Sequence, residues 1–303
     1  MHFDPSHLAA LAAILRSGSL DRAARHLNVT PSAISQRLKA LEDRVGAVLV
    51  VRGQPATATE AGERLLRHAE EVALLEDALA RDLQLAGVGQ ASLRLAVNAD
   101  SLATWFIPAM AQGARDGLLF DLKIDDQDHS ADWLRRGEVR AAVSSDADPV
   151  QGCDCFFLGS LTYVATASPD FMRRWFAEGV TAHSLGVAPA MTYNAKDRLQ
   201  TQWIETTFGI ALSPPTHWLA STNAFVEAAL AGLGWGMNPD LLVREHLASG
   251  RLVELRPGSR LSVPLYWHVS RSTASSLAAL TRAVRQAAAE RLAGVKRSEP
   301  VER

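Results

Sequence analysis

The segment Leu20–Glu42, with the sequence LDRAARHLNVTPSAISQRLKALE, constrains the fold of this chain more than any other stretch. An alanine-rich helix, a short turn at Asn28-Val29-Thr30 and a second helix with one polar side are the components of a helix-turn-helix. Ser19 and Thr30 are predicted to cap these two helices, because a hydroxyl oxygen can accept a hydrogen bond from a first-turn N–H. The segment therefore predicts a helical head whose second helix fits the major groove of DNA.

The second helix of this head is predicted to separate apolar from polar side chains. Ile34, Leu38 and Leu41 recur at helical spacing and form the predicted core face. On the other side lie residues that can exchange hydrogen bonds with base edges or a phosphate. They are Ser32, Ser35, Gln36, Arg37 and Lys39. Arg52, followed by Gly53-Gln54-Pro55, predicts a β-ribbon wing against the DNA backbone. The alternative is an ordinary helical hairpin with a solvated polar face.

Charge is distributed unevenly along the chain. The 303 residues carry a formal net charge of −2, whereas residues 1–60 contain seven Lys or Arg and five Asp or Glu, a net charge of +2. A modestly basic head suits a site-specific DNA binder, because a protein that binds phosphates in bulk would be more basic. No stretch approaches the ~20 apolar residues of a membrane helix. The N-terminus lacks a basic signal-peptide region and the chain has only two cysteines, so we expect a cytoplasmic protein.

A long helix is predicted after the wing, capped by Thr59 and running from Glu60 to about Leu85. Its apolar seam consists of Leu65, Leu66, Val72, Leu75 and Leu79. About 26 residues of helix span roughly 39 Å, more than a head of this size can bury, so we expect it to pair with a second copy. Gly87-Val88-Gly89-Gln90 is predicted to end it as a hinge. Beyond Ala91, strands and helices alternate, which predicts parallel sheets with helices on both faces.

Several motifs resemble those of a known family. The helix-turn-helix segment and TEAG at Thr59–Gly62 resemble the LysR family of bacterial transcription regulators. Four later segments resemble its lysine- and arginine-responsive ArgP/LysG branch, whose older label is chromosome initiation inhibitor. They are VNADSLATW (Val97–Trp105), RRGEVRAAVS (Arg135–Ser144), STNAFVEAA (Ser221–Ala229) and LYWH (Leu265–His268). The resemblance therefore covers nearly the whole chain.

This resemblance implies an α/β fold class with an all-α, winged head. The expected parts are a winged helix-turn-helix DNA-binding domain at 1–59, a linker and dimerisation helix with a hinge at 60–89, and a two-subdomain, periplasmic-binding-protein-like sensor at 90–303. Subdomain 1 would comprise about 90–163 and 266–303, and subdomain 2 about 164–265. The chain would cross between them near Thr162–Ser168 and return near Pro264, and an effector would bind in the cleft.

Two loops are predicted to contact a bound amino acid, and the first of them would hold its α-carboxylate. Asn98-Ala99-Asp100-Ser101 lies where a strand ends and a helix begins, and free N–H groups with the helix dipole favour an anion there. Ser101 and Thr104 would add hydroxyl donors. Across the cleft, Thr222 and Asn223 open a helix of the second subdomain and would close on the same ligand.

A basic amino acid also needs acidic partners for its cationic groups. The candidate carboxylates at predicted strand ends are Asp100, Asp125, Asp126 and Asp146, with Ser144 beside the last. The alternative for each is a helix cap or a solvated surface position. Trp105 and Trp267 are candidate pocket walls, although packing in the core is the simpler interpretation of both.

Two motifs resemble other kinds of site without matching them. Gly232-Leu233-Gly234-Trp235-Gly236 follows a helix and leads to a strand, the reverse of a dinucleotide-binding loop, and is interpreted as a helix end and turn. Cys153-Asp154-Cys155 lacks a second ligand pair with metal-binding spacing and is interpreted as a surface loop. No nucleophile-elbow motif is present. We therefore predict no enzymatic activity, no metal and no cofactor.

The sequence favours a DNA-binding regulator controlled by lysine or arginine. By resemblance it would act as a homodimer or homotetramer on double-stranded promoter or operator DNA, with RNA polymerase a further candidate partner and an amino-acid exporter or related gene as its target. The alternatives are a ligand-independent DNA-structuring protein at a replication origin, and an enzyme or carrier built on a two-lobed fold. The sequence does not distinguish lysine from arginine, since either cation suits an acidic pocket.

Overall fold

The computed structural model describes residues 2–83, 85, 91–125 and 130–294. Its backbone divides into two compact units, Met1–Leu93 with Gly117–Leu119, and Arg94–Asp116 with Phe120–Arg303. We call the first unit, apart from residues 91–93 and 117–119, the head, and we call the second unit together with those residues the sensor. Within the described ranges, every helix is too short or too polar to span a membrane.

The head consists of helices around one apolar core, with a short β-ribbon. Its elements are α1 Pro5–Ser17, α2 Leu20–His26, α3 Pro31–Val45, β1 Val50–Val51, β2 Thr57–Ala58 and α4 Glu60–Asp82. Leu11, Ile14, Ala23, Ile34 and Leu41 are fully buried, and α1 packs against α2, α3 and α4. The predicted core face of α3 is therefore confirmed.

The TEAG motif fixes the start of α4 on the wing. The Thr59 hydroxyl donates to the Val48 carbonyl oxygen (2.7 Å), and its oxygen accepts from the Gly62 N–H (3.1 Å). A Cβ atom at position 62 would collide with the Leu49 carbonyl oxygen, so the first turn of α4 approaches the wing only because Gly62 has no side chain. The helix ends at Asp82, slightly before the predicted Leu85. The predicted hinge, residues 87–90, lies outside the described residues.

The sensor alternates strands and helices. Its strands are β3 Ala91–Asn98, β4 Leu118–Asp125, β5 Ala141–Ser144, β6 Cys153–Ala167, β7 Ala190–Thr192, β8 Thr216–Trp218, β9 Gly236–Pro239, β10 Val253–Glu254 and β11 Leu261–Ser270. Its helices are α5 Ala99–Ser101, α6 Ile107–Arg115, α7 Ser130–Arg135, α8 Pro169–Trp175, α9 Ala182–Val187, α10 Leu199–Phe208, α11 Thr222–Leu230, α12 Asp240–Ala248 and α13 Ala278–Arg291, with a π-helical stretch at Leu102–Phe106.

The main sheet of the sensor is mixed, which corrects the prediction of wholly parallel sheets. In the described residues its order is β10-β6-β11-β5-β3-β4, and β9 also pairs with β6. β3 and β5 are parallel, whereas β6 is antiparallel to β9, β10 and β11. The long strands β6 and β11 contain residues 162–167 and Pro264, where the chain is expected to cross between the subdomains and to return. The two strands lie side by side and run antiparallel. β7 and β8 form a separate parallel pair.

The helical segment before Pro108 contains a widened turn. Proline has no N–H, so the carbonyl of Thr104, four residues earlier, receives no α-helical hydrogen bond from position 108. The π-helical stretch Leu102–Phe106 lies directly before α6, whose first turn contains Pro108. Trp105 and Trp267 are fully buried, which supports core packing for both.

Candidate functional site

The polar side of α3 forms the first candidate surface. Thr30 caps this helix by accepting from the Ala33 N–H at 3.2 Å. Ser32, Gln36 and Lys39 are exposed and lie along one face, because residues at i, i+4 and i+7 share a helix face. Ser35 and Arg37 are half-buried beside them. α3 therefore presents a hydroxyl, an amide and an ammonium in one row.

The β-ribbon beside α3 carries Arg52. β1 and β2 pair antiparallel, with Val50 opposite Ala58, which supports the predicted wing. The Glu42 carboxylate of α3 accepts from the N–H groups of Leu49 (2.9 Å) and Val50 (3.4 Å) and ties the ribbon to the helix. Arg52 is exposed just after β1, and within the described part of the chain it forms no ion pair. Its charge is therefore available to a phosphate.

The sensor contains a pocket with acidic walls. Four segments line it: the end of β3 with α5, the connection from β7 to α10, the start of α11, and β9. Its polar lining includes two carboxylates, Asp100 and Asp197, and two buried amides, Asn98 and Asn238. Lys, Arg and His are absent from its described lining residues. The charge of this lining complements a cation.

Asp100 is fixed by hydroxyl groups from two other elements. One carboxylate oxygen accepts from the Tyr163 hydroxyl of β6 and the other from the Thr222 hydroxyl of α11, both at 2.7 Å. The two donors stand 63 and 122 residues away in sequence. Asp100 therefore connects the first half of the sensor to the second at the pocket wall.

Asp197 holds the opposite loop in shape. Its carboxylate oxygens accept from the backbone N–H groups of Tyr193 (2.9 Å) and Leu199 (3.0 Å). No local pattern in the sequence marks Asp197 as a pocket residue, because an aspartate just before a helix resembles a simple cap and nothing in its neighbourhood indicates a cleft.

The other predicted pocket residues lie in different environments. Among the predicted set, Asp100 and Thr222 line the pocket. Ser101 is fully buried behind it, the Thr104 hydroxyl donates to the Asp100 backbone carbonyl (2.6 Å), and Asn223 is exposed next to Thr222. Asp126 lies outside the described residues, as does the side chain of Asp125.

Ser144 and Asp146 belong to a separate polar network. Asp146 forms an ion pair with Arg135 (2.8 Å), and its N–H donates to the Ser144 hydroxyl (3.1 Å). Burial raises the pKa of Asp146, but hydrogen bonds from the Asp148 N–H and from Arg135 outweigh it and hold the pKa below its ordinary value. The Asp146 carbonyl oxygen lies 2.9 Å from Nε2 of the buried His268, so that nitrogen carries the proton and donates. Burial lowers the pKa of His268.

The two motifs that resemble other sites take ordinary structural roles. Gly232 ends α11 with φ at 75°, in the left-handed region that favours glycine. The prediction that Cys153-Asp154-Cys155 forms a surface loop is wrong: these residues open β6, with Cys155 opposite His268 of β11. Both cysteines are free thiols. Residues 2–83, 85, 91–125 and 130–294 contain no cluster of three or more metal-binding side chains.

Comparison with known proteins gives matches over both units. The family model described as bacterial regulatory helix-turn-helix protein, lysR family, matches residues 5–63, and the LysR substrate binding domain matches residues 86–293. The transcriptional regulator LysG of Mycobacterium bovis is 45% identical over 295 residues, covering 97% of this chain and 96% of LysG.

Two solved structures are similar over nearly the full length. ArgP from Mycobacterium tuberculosis has 42% identity and a TM-score of 0.77, with 97% of this chain and 100% of that chain covered. Full-length LysG from Corynebacterium glutamicum with bound effector Arg has 37% identity and a TM-score of 0.64, with 96% and 99% covered. The expected fold class, a winged helix-turn-helix head with a periplasmic-binding-protein-like sensor, is thereby confirmed.

Proposed function

Because this chain belongs to the lysR family of bacterial regulatory helix-turn-helix proteins, we propose that a basic amino acid, lysine or arginine, controls its binding to DNA. It is a transcriptional regulator of the LysG/ArgP type, and its relatives are named as regulators rather than enzymes. The proposed layout is a DNA-binding domain at 1–59, a linker helix and hinge at 60–89, and a sensor at 90–303.

The acidic pocket is the observation that supports a basic effector. Asp100 and Asp197 would provide two carboxylates for the two cationic groups of lysine or arginine, and Lys, Arg and His are absent from the described lining residues. The related LysG of Corynebacterium glutamicum has Arg bound as its effector. A ligand alters output only through unequal affinity for two arrangements of the protein, typically ~1–3 kcal/mol of coupling.

Calorimetric titration of the full chain with lysine, arginine and glutamate tests this proposal. Saturable binding of one or both basic amino acids, without binding of glutamate, is the expected result. Binding of none of them would contradict the proposal and favour a ligand-independent, DNA-structuring role. The same titration shows which of lysine and arginine binds more tightly.

For the head, we propose that the polar side of α3 contacts base edges and that the wing contacts phosphates. The proposed DNA-binding residues are Ser32, Ser35, Gln36, Arg37, Lys39 and Arg52. The protein would act in the cytoplasm, where its promoter DNA lies. Its target would be an exporter or related gene for a basic amino acid, and RNA polymerase is a candidate partner at that promoter.

We further propose a homodimer, or a homotetramer built from dimers, formed through α4. Leu75, Leu79 and Leu83 are all exposed at spacings of four residues, so they form one apolar stripe. Leu79→Glu is expected to convert the dimer to monomer in analytical ultracentrifugation. Asp43→Ala, at an exposed position of α3 away from this stripe, is the control and should remain dimeric. A Leu79→Glu dimer of unchanged stability would contradict this assignment.

A further inference from the structure

Asn238 contributes a further hydrogen-bond acceptor to the pocket, in addition to the carboxylates of Asp100 and Asp197. It lies on β9, lines the pocket and is fully buried. Its Nδ2 donates to the hydroxyl oxygen of Thr166 on β6 at 2.9 Å. Its Oδ1 is buried and has no hydrogen-bond partner among the described residues.

An acceptor in this position lacks a partner that it would have had in water. Nearly all buried polar atoms in folded proteins have a hydrogen-bond partner. An unpaired buried atom at a pocket wall is therefore expected where the bound ligand supplies the partner. The missing partner must be a donor, since a carbonyl oxygen only accepts. The neighbouring carboxylates of the lining also accept, and they favour a donor that is positively charged.

We infer that Asn238 is a specificity-determining residue of this pocket, whose Oδ1 accepts a hydrogen bond from a cationic nitrogen of the bound basic amino acid. The inference rests on the proposed function. Thr166 is its positioning residue: the hydroxyl oxygen holds Nδ2 and thereby leaves the amide oxygen for the ligand. This oxygen selects by hydrogen-bond geometry, whereas Asp100 and Asp197 select by charge.

A matched pair of buried amides allows a direct test. Gln200 is also buried, its Nε2 donates to the Met191 carbonyl oxygen (2.7 Å), and its Oε1 also has no partner among the described residues. Unlike Asn238, it does not line the pocket. Asn238→Leu and Gln200→Leu therefore each replace a buried amide by an apolar side chain, inside and outside the pocket respectively, although Gln200→Leu also removes one side-chain atom.

The affinities of both variants for lysine and arginine are measured by calorimetry, and their melting temperatures by circular dichroism. Asn238→Leu is expected to weaken binding at least tenfold, and Gln200→Leu less than twofold, with similar losses of melting temperature. Thr166→Val should weaken binding about threefold and Thr166→Ser, which keeps the hydroxyl, should not. Equal affinities in wild type and Asn238→Leu would overturn the assignment.

Ligands that lack one nitrogen separate a contact from a general disturbance of the pocket. Norleucine keeps only the α-ammonium of lysine, and 6-aminohexanoate keeps only the terminal ammonium. If the affinity for one of these ligands is unchanged by Asn238→Leu, the inference is supported. The nitrogen that this ligand lacks is then the one that donates to Oδ1. If Asn238→Leu weakens the binding of lysine, norleucine and 6-aminohexanoate equally, the inference is overturned. Failure of the wild type to bind lysine or arginine would instead contradict the proposed function, and this inference with it.

Discussion

The head and the sensor arrange their functional groups in opposite ways. In the head, the candidate contacts come from consecutive turns of one helix, and Ser32, Gln36 and Lys39 point outward from it. In the sensor, the pocket is assembled from distant segments: Asp100 bonds to residues 63 and 122 positions later in the chain. In the head, the functional side chains are therefore close together in the sequence, whereas in the sensor the topology of the fold brings them together.

The nature of each ligand explains this difference. DNA is larger than the head and is approached from outside, so one exposed helix face with a nearby cation suffices. A free amino acid is small and must be surrounded, so its site requires walls from several elements around a cleft. If the comparison is right, substitutions in one unit should leave the ligand of the other unit almost unaffected.

The largest effect is expected from Asp100→Asn. This change keeps the size of the side chain but removes a charge in the pocket, and loss of a charge-assisted hydrogen bond costs about 2–3 kcal/mol, or roughly 30- to 150-fold in Kd. Lysine or arginine affinity should fall by this factor in calorimetry, while DNA affinity without effector should not change.

Asp146→Asn is the control, because it removes a carboxylate charge from the sensor at a position outside the described pocket lining. Asp146 pairs with Arg135 and is absent from the described pocket lining, so its variant should bind the effector normally. If Asp146→Asn weakens effector binding as much as Asp100→Asn, the pocket has been placed in the wrong part of the sensor.

The second effect, in the head, is expected from Gln36→Ala. Loss of a side chain that contacts a base costs about 1–3 kcal/mol and relaxes selectivity at that base. Affinity for DNA sites selected from a random library should fall about 5- to 150-fold in fluorescence anisotropy, and effector affinity should stay constant. Gln286→Ala, at an exposed glutamine of α13, is the matched control. Loss of effector binding in Gln36→Ala would break the separation between the two units.

The same contrast explains how much could be predicted from the sequence. The cap at Thr30, the proline at position 31 and the spacing of Ile34, Leu38 and Leu41 are local signals, and α3 follows from them directly. The motifs also led to the fold class and to Asp100 and Thr222 as candidate pocket residues. Both residues lie at the start of a helix, and the sequence pattern of a helix start is local enough to be recognised.

Asp197, Asn238 and Thr166 could not be found in this way. Their neighbours form short strands or turns with no distinctive pattern, and only the pairing of β6 with β9 brings Thr166 and Asn238 together. The error at Cys153–Cys155 has the same origin. This segment is a strand because it pairs with β11, and a contact with a strand more than 100 residues away leaves no local signal.

The smallest effect concerns the response of the sensor to pH. His268 is buried, donates through Nε2 to the Asp146 carbonyl, and has its pKa lowered by burial. In the unfolded chain this imidazole takes up a proton near its ordinary pKa of 6.5, whereas the folded sensor resists protonation until a lower pH. The unfolded state therefore binds more protons below pH 6.5, and the free energy of unfolding must fall as the pH decreases through this range.

All seven tryptophans lie in the sensor sequence, so their fluorescence during urea unfolding follows this unit. Between pH 7.5 and 5.5 the free energy of unfolding should decrease, by at most about 1.4 kcal/mol per pH unit for one proton. His268→Gln keeps an N–H donor without a titratable ring and should flatten this slope, whereas His183→Gln, at an exposed position, should retain it. The lowered pKa of Asp146 acts only below about pH 3.8, outside this window. Equal slopes in wild type and His268→Gln would mean that the buried network around Asp146 does not set the acid sensitivity of the sensor.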